Sequence, residues 1–325
     1  MKPSGQIPAI LILALFFFNL TSVAAPAQQG PPQPYTINVK VGLAVLPVTV
    51  IDHKKHRVSG LKEGNFQVYE DGRRQEIALF EDEDAPVTVG FVVDNSLSME
   101  PKRASVVAAA MAFAESSNPR DEIFVVDFNQ SIYVELPKGV SFTRSPQELR
   151  TALSLYNPGG RTALYDAIAV ALEHLKVGTG DKKYLILVSD GGDNASHKTR
   201  PEILAMAKKS NAAIYCVAIL NEDYSDQDPG FLRKLSHASG GEAYTPETVP
   251  QVVETLKMIA RDIRQQYTLG YIPTNQAEDG KFHSVKVTAS APHGGKLTVR
   301  TRSGYLAPAE NTSRAGPVES PVGNL

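Results

Sequence analysis

Four strongly apolar runs, separated by segments with helical periodicity, constrain the fold of this sequence more than any other feature. Each run is apolar at successive positions, so both of its faces would be buried, as in parallel strands covered by helices on both sides. The runs are residues 87–93, 122–126, 184–188 and 212–219. Because parallel neighbours need crossover connections, this alternation predicts an α/β fold with a doubly wound, mostly parallel sheet.

The segments between these runs carry apolar residues on one face of a helix. Residues 99–117 hold one such stripe, and Pro119 ends the helix shortly afterwards. Two further stripes recur at helical spacing. They are Leu164, Ile168, Leu172 and Leu175, and then Val252, Leu256, Ile259 and Ile263. These stripes predict helices that cover the sheet.

Two segments that flank the α/β region, residues 35–85 and 267–306, show strand-like alternation instead. In the first, Asp71 and Gly72 lie between two β-rich runs, a sequence that predicts a hairpin connecting residues 66–70 to residues 75–80. A hairpin alone is only marginally stable. We therefore expect the two segments to pack together beside the α/β domain as a small antiparallel β domain.

The N-terminal region predicts export. Lys2 is followed by an apolar stretch and then by small residues up to Ala25, which is the pattern of a cleaved secretory signal peptide. An uncleaved membrane anchor is the alternative, but the apolar stretch is short for a span of about 20 residues. The predicted organisation is a signal peptide at 1–25, a linker at 26–34, β segments at 35–85 and 267–306, the α/β domain at 86–266 and a disordered tail at 307–325. The mature protein would be secreted or periplasmic, without a membrane span.

Charge and cysteine content exclude other classes. The 33 basic and 35 acidic residues give a formal charge of -2, which argues against nucleic acid as the main ligand, although it allows a locally basic face. Cys216 is the only cysteine, so an intramolecular disulfide cannot form. Its place in an apolar run predicts a buried, inert thiol.

Oxygen-bearing side chains occur where the predicted strands end. Asp94, Ser96 and Ser98 follow the first strand, Thr162 precedes the second helix, and Asp190 follows the third strand. In an open α/β sheet, ligands bind at the carboxyl ends of the strands. Two carboxylates and three hydroxyls are ligands for a hard cation such as Mg²⁺. Because the hydroxyls are neutral, the ion would remain able to attract a carboxylate from a partner.

Each part of this set also has a simpler explanation. Asp94 and the two serines could cap a helix, Thr162 could do the same, and Asp190 could belong to a turn. Capping gives no reason to combine three loops, so the full set favours a metal. Nearby polar residues are explained equally well or better by turns. They are Asp127, Asn129, Asp193 and Asn194.

The five residues, in this order and at strand ends, resemble the metal-ion-dependent adhesion site of von Willebrand factor type A domains. The resemblance covers about residues 86–266 and implies a Rossmann-like fold. It implies that Ser96, Ser98 and Thr162 ligate Mg²⁺, or Mn²⁺ or Ca²⁺, through their hydroxyls, and that Asp94 and Asp190 act directly or through water. Outside this region, residues 66–72 and 267–271 of the chain resemble segments of a group of secreted bacterial proteins that have a related domain. The implied function is binding of a protein through an Asp or Glu side chain.

Two other functions fit parts of the sequence. A metal-dependent phosphohydrolase places a nucleophilic Asp at the end of its first strand, where Asp94 lies, but needs a second carboxylate at the position that Ser96 holds. A structural envelope protein with a vestigial site is the other alternative, and the complete ligand set argues against it. The histidines and Cys216 lie in unrelated segments and form no catalytic arrangement. The sequence therefore predicts a binding protein without catalytic residues.

Overall fold

The computed structural model of the 325-residue chain describes residues 42–307, except residues 55, 83, 156–158, 222–223, 276–279 and 292–293. The predicted signal peptide (1–25), the predicted linker (26–34) and all but the first residue of the predicted tail (307–325) lie outside the described residues. Among the helices that are described, none is long and apolar enough to cross a lipid bilayer.

A six-stranded sheet forms the centre of the α/β region. Numbered along the chain, its strands are β5 (Thr88–Asp94), β6 (Glu122–Phe128), β7 (Ile132–Val134), β8 (Lys183–Ser189), β9 (Ala212–Ala218) and β10 (Ala243–Tyr244). They lie in the order β10-β9-β8-β5-β6-β7, and every pair is parallel except β6 with β7. The predicted mostly parallel sheet is confirmed, and each of the four apolar runs forms one of its strands.

Helices cover both faces of this sheet in the described part of the chain. They are α1 (Arg103–Ser116), α2 (Pro146–Ala152), α3 (Leu164–Leu175), α4 (Arg200–Lys209), α5 (Pro229–Ser239) and α6 (Val249–Arg264). Successive residues of one strand point to opposite faces. Phe91 of β5 packs in the core with Val106 of α1 and Leu256 of α6, whereas Val92 packs in the other core with Leu172 of α3. The sheet is therefore doubly wound, as predicted.

Some helices differ from the sequence prediction. The helix expected at residues 99–117 is preceded by a 3₁₀ segment (Leu97–Lys102) that contains Pro101, and α1 begins only after it. Pro101 lacks an amide hydrogen, which suits a helix start and not a helix interior. The short helices α2, α4 and α5 escaped prediction. Each has a proline in its first turn and follows a residue suited to capping, namely Ser145, Thr199 and Asp228.

The flanking segments form a β-sandwich. Their strands are β1 (Ala44–Ile51), β2 (Phe66–Glu70), β3 (Arg73–Gln75), β4 (Ile77–Glu81), β11 (Tyr267–Tyr271), β12 (Phe282–Ala289), β13 (Thr298–Arg300) and β14 (Gly304–Leu306). One sheet has the order β13-β1-β11-β4, the other β14-β12-β2-β3, and all pairs are antiparallel. Leu46, Val68, Leu269 and Val287 meet in its core. Because each sheet takes strands from both segments, they pack together as expected.

The predicted hairpin is only partly right. Asp71 and Gly72 have φ angles of 47° and 80°, as a tight β turn requires, and they connect β2 to the short β3. The chain then changes sheet: β4 pairs with β11 and not with β2. Residues 75–80 were expected to form the second arm of the hairpin. Nothing in their alternation of apolar and polar residues predicts this change from one sheet to the other. The crossing lets one short segment contribute to both sheets of the sandwich.

Gln266 connects the sandwich to the α/β region. It lies between α6 and β11 and is buried. Its amide nitrogen donates to Thr49 Oγ1 at 3.1 Å and to the Tyr215 hydroxyl at 3.0 Å, and its oxygen accepts from the Tyr184 hydroxyl at 2.7 Å. One side chain therefore ties β1 to β8 and β9 by hydrogen bonds that are shielded from water.

Candidate metal centre

The predicted site residues lie at the carboxyl edge of the central sheet. Asp94 is the last residue of β5, and Asp190 directly follows the neighbouring strand β8. Asp94, Ser96 and Asp190 are no more than 2% exposed, Thr162 is 5% exposed and Ser98 is 7% exposed. Burial of carboxylates is costly unless they are hydrogen-bonded or paired with a cation. The partners of these groups therefore indicate what the site is built to hold.

Four of the five residues form one chain of contacts. The Asp94 carboxylate accepts from the Ser96 amide at 2.9 Å, and the Ser96 and Ser98 hydroxyl oxygens are 3.2 Å apart. The Ser98 hydroxyl donates to Asp190 Oδ2 at 2.7 Å. The Ser96 amide and the hydroxyls of Ser96 and Ser98 thus connect the two carboxylates.

Thr162 joins this edge through its backbone. Its amide donates to Asn194 Oδ1, and its carbonyl accepts from the amides of Asn194 and Ala195, all at 2.9 Å. The preceding loop is tied to the Asp94 loop, because the Gly159 amide donates to the Asn95 carbonyl at 2.7 Å. Among the described residues, no hydrogen bond joins the Thr162 hydroxyl to the other four side chains. The structure therefore places Thr162 in an adjoining loop, which is fixed to both of the others.

Local backbone geometry explains why these loops hold their shape. Asp190 Oδ1 accepts from the Gly192 amide at 3.0 Å, which closes a tight turn directly after β8. Gly191 has a φ of 88°, and a Cβ atom at this position would lie 2.5 Å from the Asp228 carbonyl oxygen. Only glycine meets both conditions without strain. Ser189 accepts from the Gly191 amide at 3.0 Å and fixes the turn from the other side.

The electrostatic environment of this edge is set by two neighbouring buried acids. Burial raises the pKa of Asp94 to about 6, and the nearby Asp190 acts in the same direction. Among the described residues, no Lys or Arg forms an ion pair with either carboxylate. Lys102 lies near both, but its ammonium donates to the Ile219 carbonyl at 2.7 Å, and burial lowers its pKa. The carboxylates are held by hydroxyl and amide donors, and their negative charge is not neutralised by a contacting cation.

This donor set fits a hard divalent cation. Carboxylate and hydroxyl oxygens are ligands that suit Mg²⁺, Mn²⁺ and Ca²⁺, and the set contains neither sulfur nor imidazole. The hydroxyls of Ser96 and Ser98 contact each other, and that of Ser98 contacts Asp190, so these oxygens already face the same space. Asp94, Ser96, Ser98 and Asp190 would hold the ion, with Thr162 from the adjoining loop.

Sequence reasoning missed Ser189 and left the role of Asn194 open. The Ser189 hydroxyl donates to Asp94 Oδ2 at 2.6 Å, so it orients that carboxylate. Asn194 positions Thr162, and its amide nitrogen also donates to Asp226 at 3.1 Å. Ser189 ends an apolar strand at the position before Asp190, which is the signal that could have identified it.

The prediction of turn chemistry is wrong for Asp127 and confirmed for Asn129. Asp127 is fully buried within β6 and forms a two-pronged ion pair with Arg103, with N–O distances of 3.2 and 3.3 Å. Asn129 Oδ1 accepts from the Ser131 amide at 2.9 Å, as in a turn. Cys216 is fully buried, as predicted, and burial raises the pKa of its thiol to about 12.

A second group of potential ligands lies in the sandwich, where Glu70, Asp71 and His283 approach one another. Their side chains have internal partners: His283 Nδ1 lies 2.7 Å from Asp71 Oδ2, and Glu70 Oε2 accepts from the hydroxyls of Tyr271 and Tyr305 at 2.6 and 2.9 Å. These contacts describe a structural hydrogen-bond network.

The chain is similar to several solved structures and to one family model. Among solved structures, the chain is similar to "von Willebrand factor type A from Catenulispora acidiphila", with a TM-score of 0.49 and 14% identity over 83% of this chain and 74% of that chain. It is also similar to the vWF domain of the type V pili tip protein Mfa5 from Porphyromonas gingivalis, with a TM-score of 0.47 and 13% identity over 55% of this chain and 95% of that chain. A third similar structure is the pilus adhesin SpaC from Lactobacillus rhamnosus GG, with a TM-score of 0.47 and 13% identity over 77% of this chain and 49% of that chain.

No curated protein matches the sequence. Residues 89–192 match the family model of the von Willebrand factor type A domain. The matched range contains Asp94, Ser96, Ser98, Thr162 and Asp190. With the doubly wound sheet that carries these residues, this match identifies the central part of the chain as a von Willebrand factor type A domain.

Proposed function

We propose that this chain is an exported protein that binds another protein through a divalent cation held by Asp94, Ser96, Ser98, Thr162 and Asp190. The observation that carries the proposal is the pair of buried carboxylates, Asp94 and Asp190, held by hydroxyl and amide donors and unpaired with any Lys or Arg of the described residues. The match to the von Willebrand factor type A domain supports a role in protein interaction. Export is inferred from the signal-peptide pattern at residues 1–25.

The ligand set supports binding of a carboxylate. Two carboxylates and three neutral hydroxyls neutralise a divalent ion less completely than a site closed by carboxylates. When bound, the ion would supply a Lewis-acid position for an Asp or Glu side chain of the partner. This chain's own residues orient that position, because Ser189 fixes the Asp94 carboxylate and Asn194 fixes the Thr162 loop.

Neighbouring loops would supply most of the interface, since a single acidic contact gives little affinity. The candidate loops are residues 157–161, of which 157 and 158 lie outside the described residues, and residues 191–197. Arg161 and His197 are exposed there, and both suit an acidic partner. The net charge of -2 gives no support for a nucleic acid partner.

Metal binding is tested by thermal and chemical unfolding with Mg²⁺, Mn²⁺, Ca²⁺ or EDTA. A ligand at about 100 times its Kd stabilises a protein by about 2.7 kcal/mol, so Mg²⁺ should raise the melting temperature and EDTA should reverse the rise. Asp94→Asn should lose this response while remaining folded. Glu100→Gln removes the same charge from an exposed residue close to the site and should keep it. Identical curves for the wild-type protein in Mg²⁺ and in EDTA would refute the site.

Binding is tested by metal-dependent capture from the secreted or envelope fraction of the source cells. Capture should require the divalent ion and should be lost in Ser96→Ala and Thr162→Ala as well as in Asp94→Asn. A partner captured equally well in EDTA would show that another face forms the interface. Hydrolysis of p-nitrophenyl phosphate that Asp94→Asn abolishes would instead indicate a phosphohydrolase.

A further inference from the structure

The locally basic face that the sequence allows is a groove between α4 and α5. The groove has a volume of about 570 Å³, and its basic lining residues are Lys208 of α4 and Arg233, Lys234 and His237 of α5. Among the described residues, no Asp or Glu lines it. Lys and Arg carry a positive charge, and the histidine ring adds an N–H donor. The groove is therefore a basic surface on a chain whose formal charge is -2.

These basic side chains have no acidic partner in the described part of the chain. All four are exposed, and none forms an ion pair or a side-chain hydrogen bond with another described residue. Lysines on two other helices differ in this respect, because Lys176 at the end of α3 and Lys257 of α6 each pair with the glutamate three residues earlier. The groove thus lacks the internal neutralisation that those two lysines receive.

Helix stability explains only part of this basic set. Lys208 and His237 lie in the last turns of α4 and α5, where the helix dipole favours a basic residue. Arg233 and Lys234 lie in the middle of α5, where the dipole gives no such advantage. They precede His237 by four and three residues, so the three basic side chains are neighbours on one side of the helix. Basic neighbours of this kind do not stabilise a helix, and they indicate a surface that receives an anion from outside.

The groove is built from three segments that are held together. Ser303, in the connection between β13 and β14, lines it from the sandwich. The adjacent Arg302 is buried, and its guanidinium donates to Asn211 Oδ1, just beyond the end of α4, at 2.6 Å. Helix α4 also contacts β14. A ligand would therefore meet a preformed groove and would order few protein groups on binding.

The shape and lining of the groove select among anionic ligands. Among the described residues no aromatic side chain lines it, so nucleic acid bases would find no surface on which to stack. Its apolar lining, Leu204, Gly230 and Ala238, is too small to anchor an amphipathic helix, and two helices offer no free strand edge to an extended peptide. A flat bilayer surface would meet the rim of the groove and not its lining. A linear chain with repeated negative charges fits, since Gly230 to Ala238 extends for roughly 12 Å along α5.

We propose that this groove binds a linear anionic polysaccharide. Its sulfate or carboxylate groups would contact Lys208, Arg233 and Lys234, and its sugar hydroxyls would contact His237 and Ser303. Each exposed ionic contact is weak by itself, so the affinity would come from several contacts made by one chain. None of the lining residues is a predicted metal ligand, so this is a second binding function that does not depend on the metal centre.

The test is titration of the full chain with short, fluorescently labelled dextran sulfate chains, followed by fluorescence anisotropy in EDTA. We expect saturable binding that weakens at high salt, because exposed charges are screened, and no binding of uncharged dextran. The triple variant Lys208→Gln, Arg233→Gln and Lys234→Gln should bind roughly tenfold more weakly or worse. Its melting temperature should equal that of the wild-type protein, since these side chains have no partner among the described residues.

The matched control is the triple variant Lys138→Gln, Arg150→Gln and Lys286→Gln. It removes the same charge from exposed residues that lie after β7, in α2 and in β12, and it should keep the wild-type affinity. Equal weakening in both triple variants would assign the binding to overall charge and overturn the inference. Binding of phosphatidylglycerol vesicles in place of dextran sulfate would identify a lipid surface and would also overturn it.

The metal centre separates this inference from the proposed function. Dextran sulfate should bind Asp94→Asn as tightly as it binds the wild-type protein. Binding that requires Mg²⁺ and is lost in Asp94→Asn would place the polysaccharide at the metal centre and overturn the inference. Absence of any thermal response to Mg²⁺ would refute the proposed function and leave the groove unaffected.

Discussion

Two groups of buried acids in this protein have opposite kinds of partner. At the junction of the sandwich and the α/β region, Asp262 of α6 lies between the guanidinium groups of Arg57 and Arg300. Arg300 also pairs with Glu242, and its guanidinium carbon lies 5.9 Å from the centre of the Tyr215 ring. Every charge in this group therefore has an opposite charge in the same chain.

At the carboxyl edge of the central sheet, Asp94 and Asp190 are more deeply buried but contact only hydroxyl and amide donors among the described residues. Asp127 lies on the adjacent strand and is paired with Arg103, so the chain does supply guanidinium groups close by. In this comparison, Asp262 at the junction and Asp127 on β6 each receive an internal guanidinium group. The acids at the edge lack one, which is the arrangement expected where the cation comes from solution.

The largest effect is expected from removing an internal cation. Arg300→Met keeps much of the side chain but removes one guanidinium group from the buried Asp262 and from the half-exposed Glu242. Loss of one member of a buried pair costs about 3–5 kcal/mol, and urea unfolding should show a loss of that size. Lys257→Met breaks an exposed pair on α6 and should cost less than about 1 kcal/mol. A loss in Arg300→Met as small as in this control would contradict the structural role of the network.

A smaller effect is expected from the residue that orients Asp94. Ser189→Ala removes the hydroxyl that donates to Asp94 Oδ2, but none of the five predicted ligands. Loss of such a supporting hydrogen bond lowers metal affinity by roughly 10–100-fold, which calorimetric titration with Mg²⁺ or Mn²⁺ would measure. Ser117→Ala, at the end of α1, removes another buried hydroxyl and should leave the affinity unchanged. Equal affinity in both variants would mean that the Asp94 carboxylate needs no support.

The smallest effect is expected from a buried acid that contacts neither a cation nor a hydroxyl or amide donor among the described residues. Glu135 is 7% exposed, and its Oε1 atom has no hydrogen-bond partner among the described residues. Burial raises its pKa from 4.5 to about 7, and the neighbouring Asp127 adds to the rise. The folded state therefore binds the proton more tightly, so this group's contribution to stability falls as the pH rises from about 4.5 to about 7.

Glu135→Gln removes this penalty. The variant should be more stable than the wild-type protein by about 1–2 kcal/mol at pH 8, and the difference should nearly vanish at pH 5. Urea unfolding at the two pH values measures it. A stabilisation that does not change with pH would assign the effect to packing and remove Glu135 from the comparison.

The central fold was predictable because its signals are local. Parallel strands buried on both faces are continuously apolar, and the five candidate ligands directly follow or precede predicted elements. The crossing of the chain between β3 and β4 was not predictable, because its reason is the pairing of β4 with β11 far along the chain. The same holds for Asp127, whose partner Arg103 lies in a helix 24 positions earlier. Ser189 could have been found, since a hydroxyl at a strand end beside a predicted ligand can only point into the core or toward the site.

The sandwich also determines how the protein would bear mechanical load. Its last strand before the α/β region is β4 and its first strand after that region is β11, and these two strands pair with each other. Tension applied between Ala44 and Leu306 would first act on the ladders that join β1 to β11 and β13, and β14 to β12. The segment between Glu81 and Tyr267 would be stretched only after those ladders part. The candidate metal centre would therefore stay folded while the two flanks of the chain carry the pull.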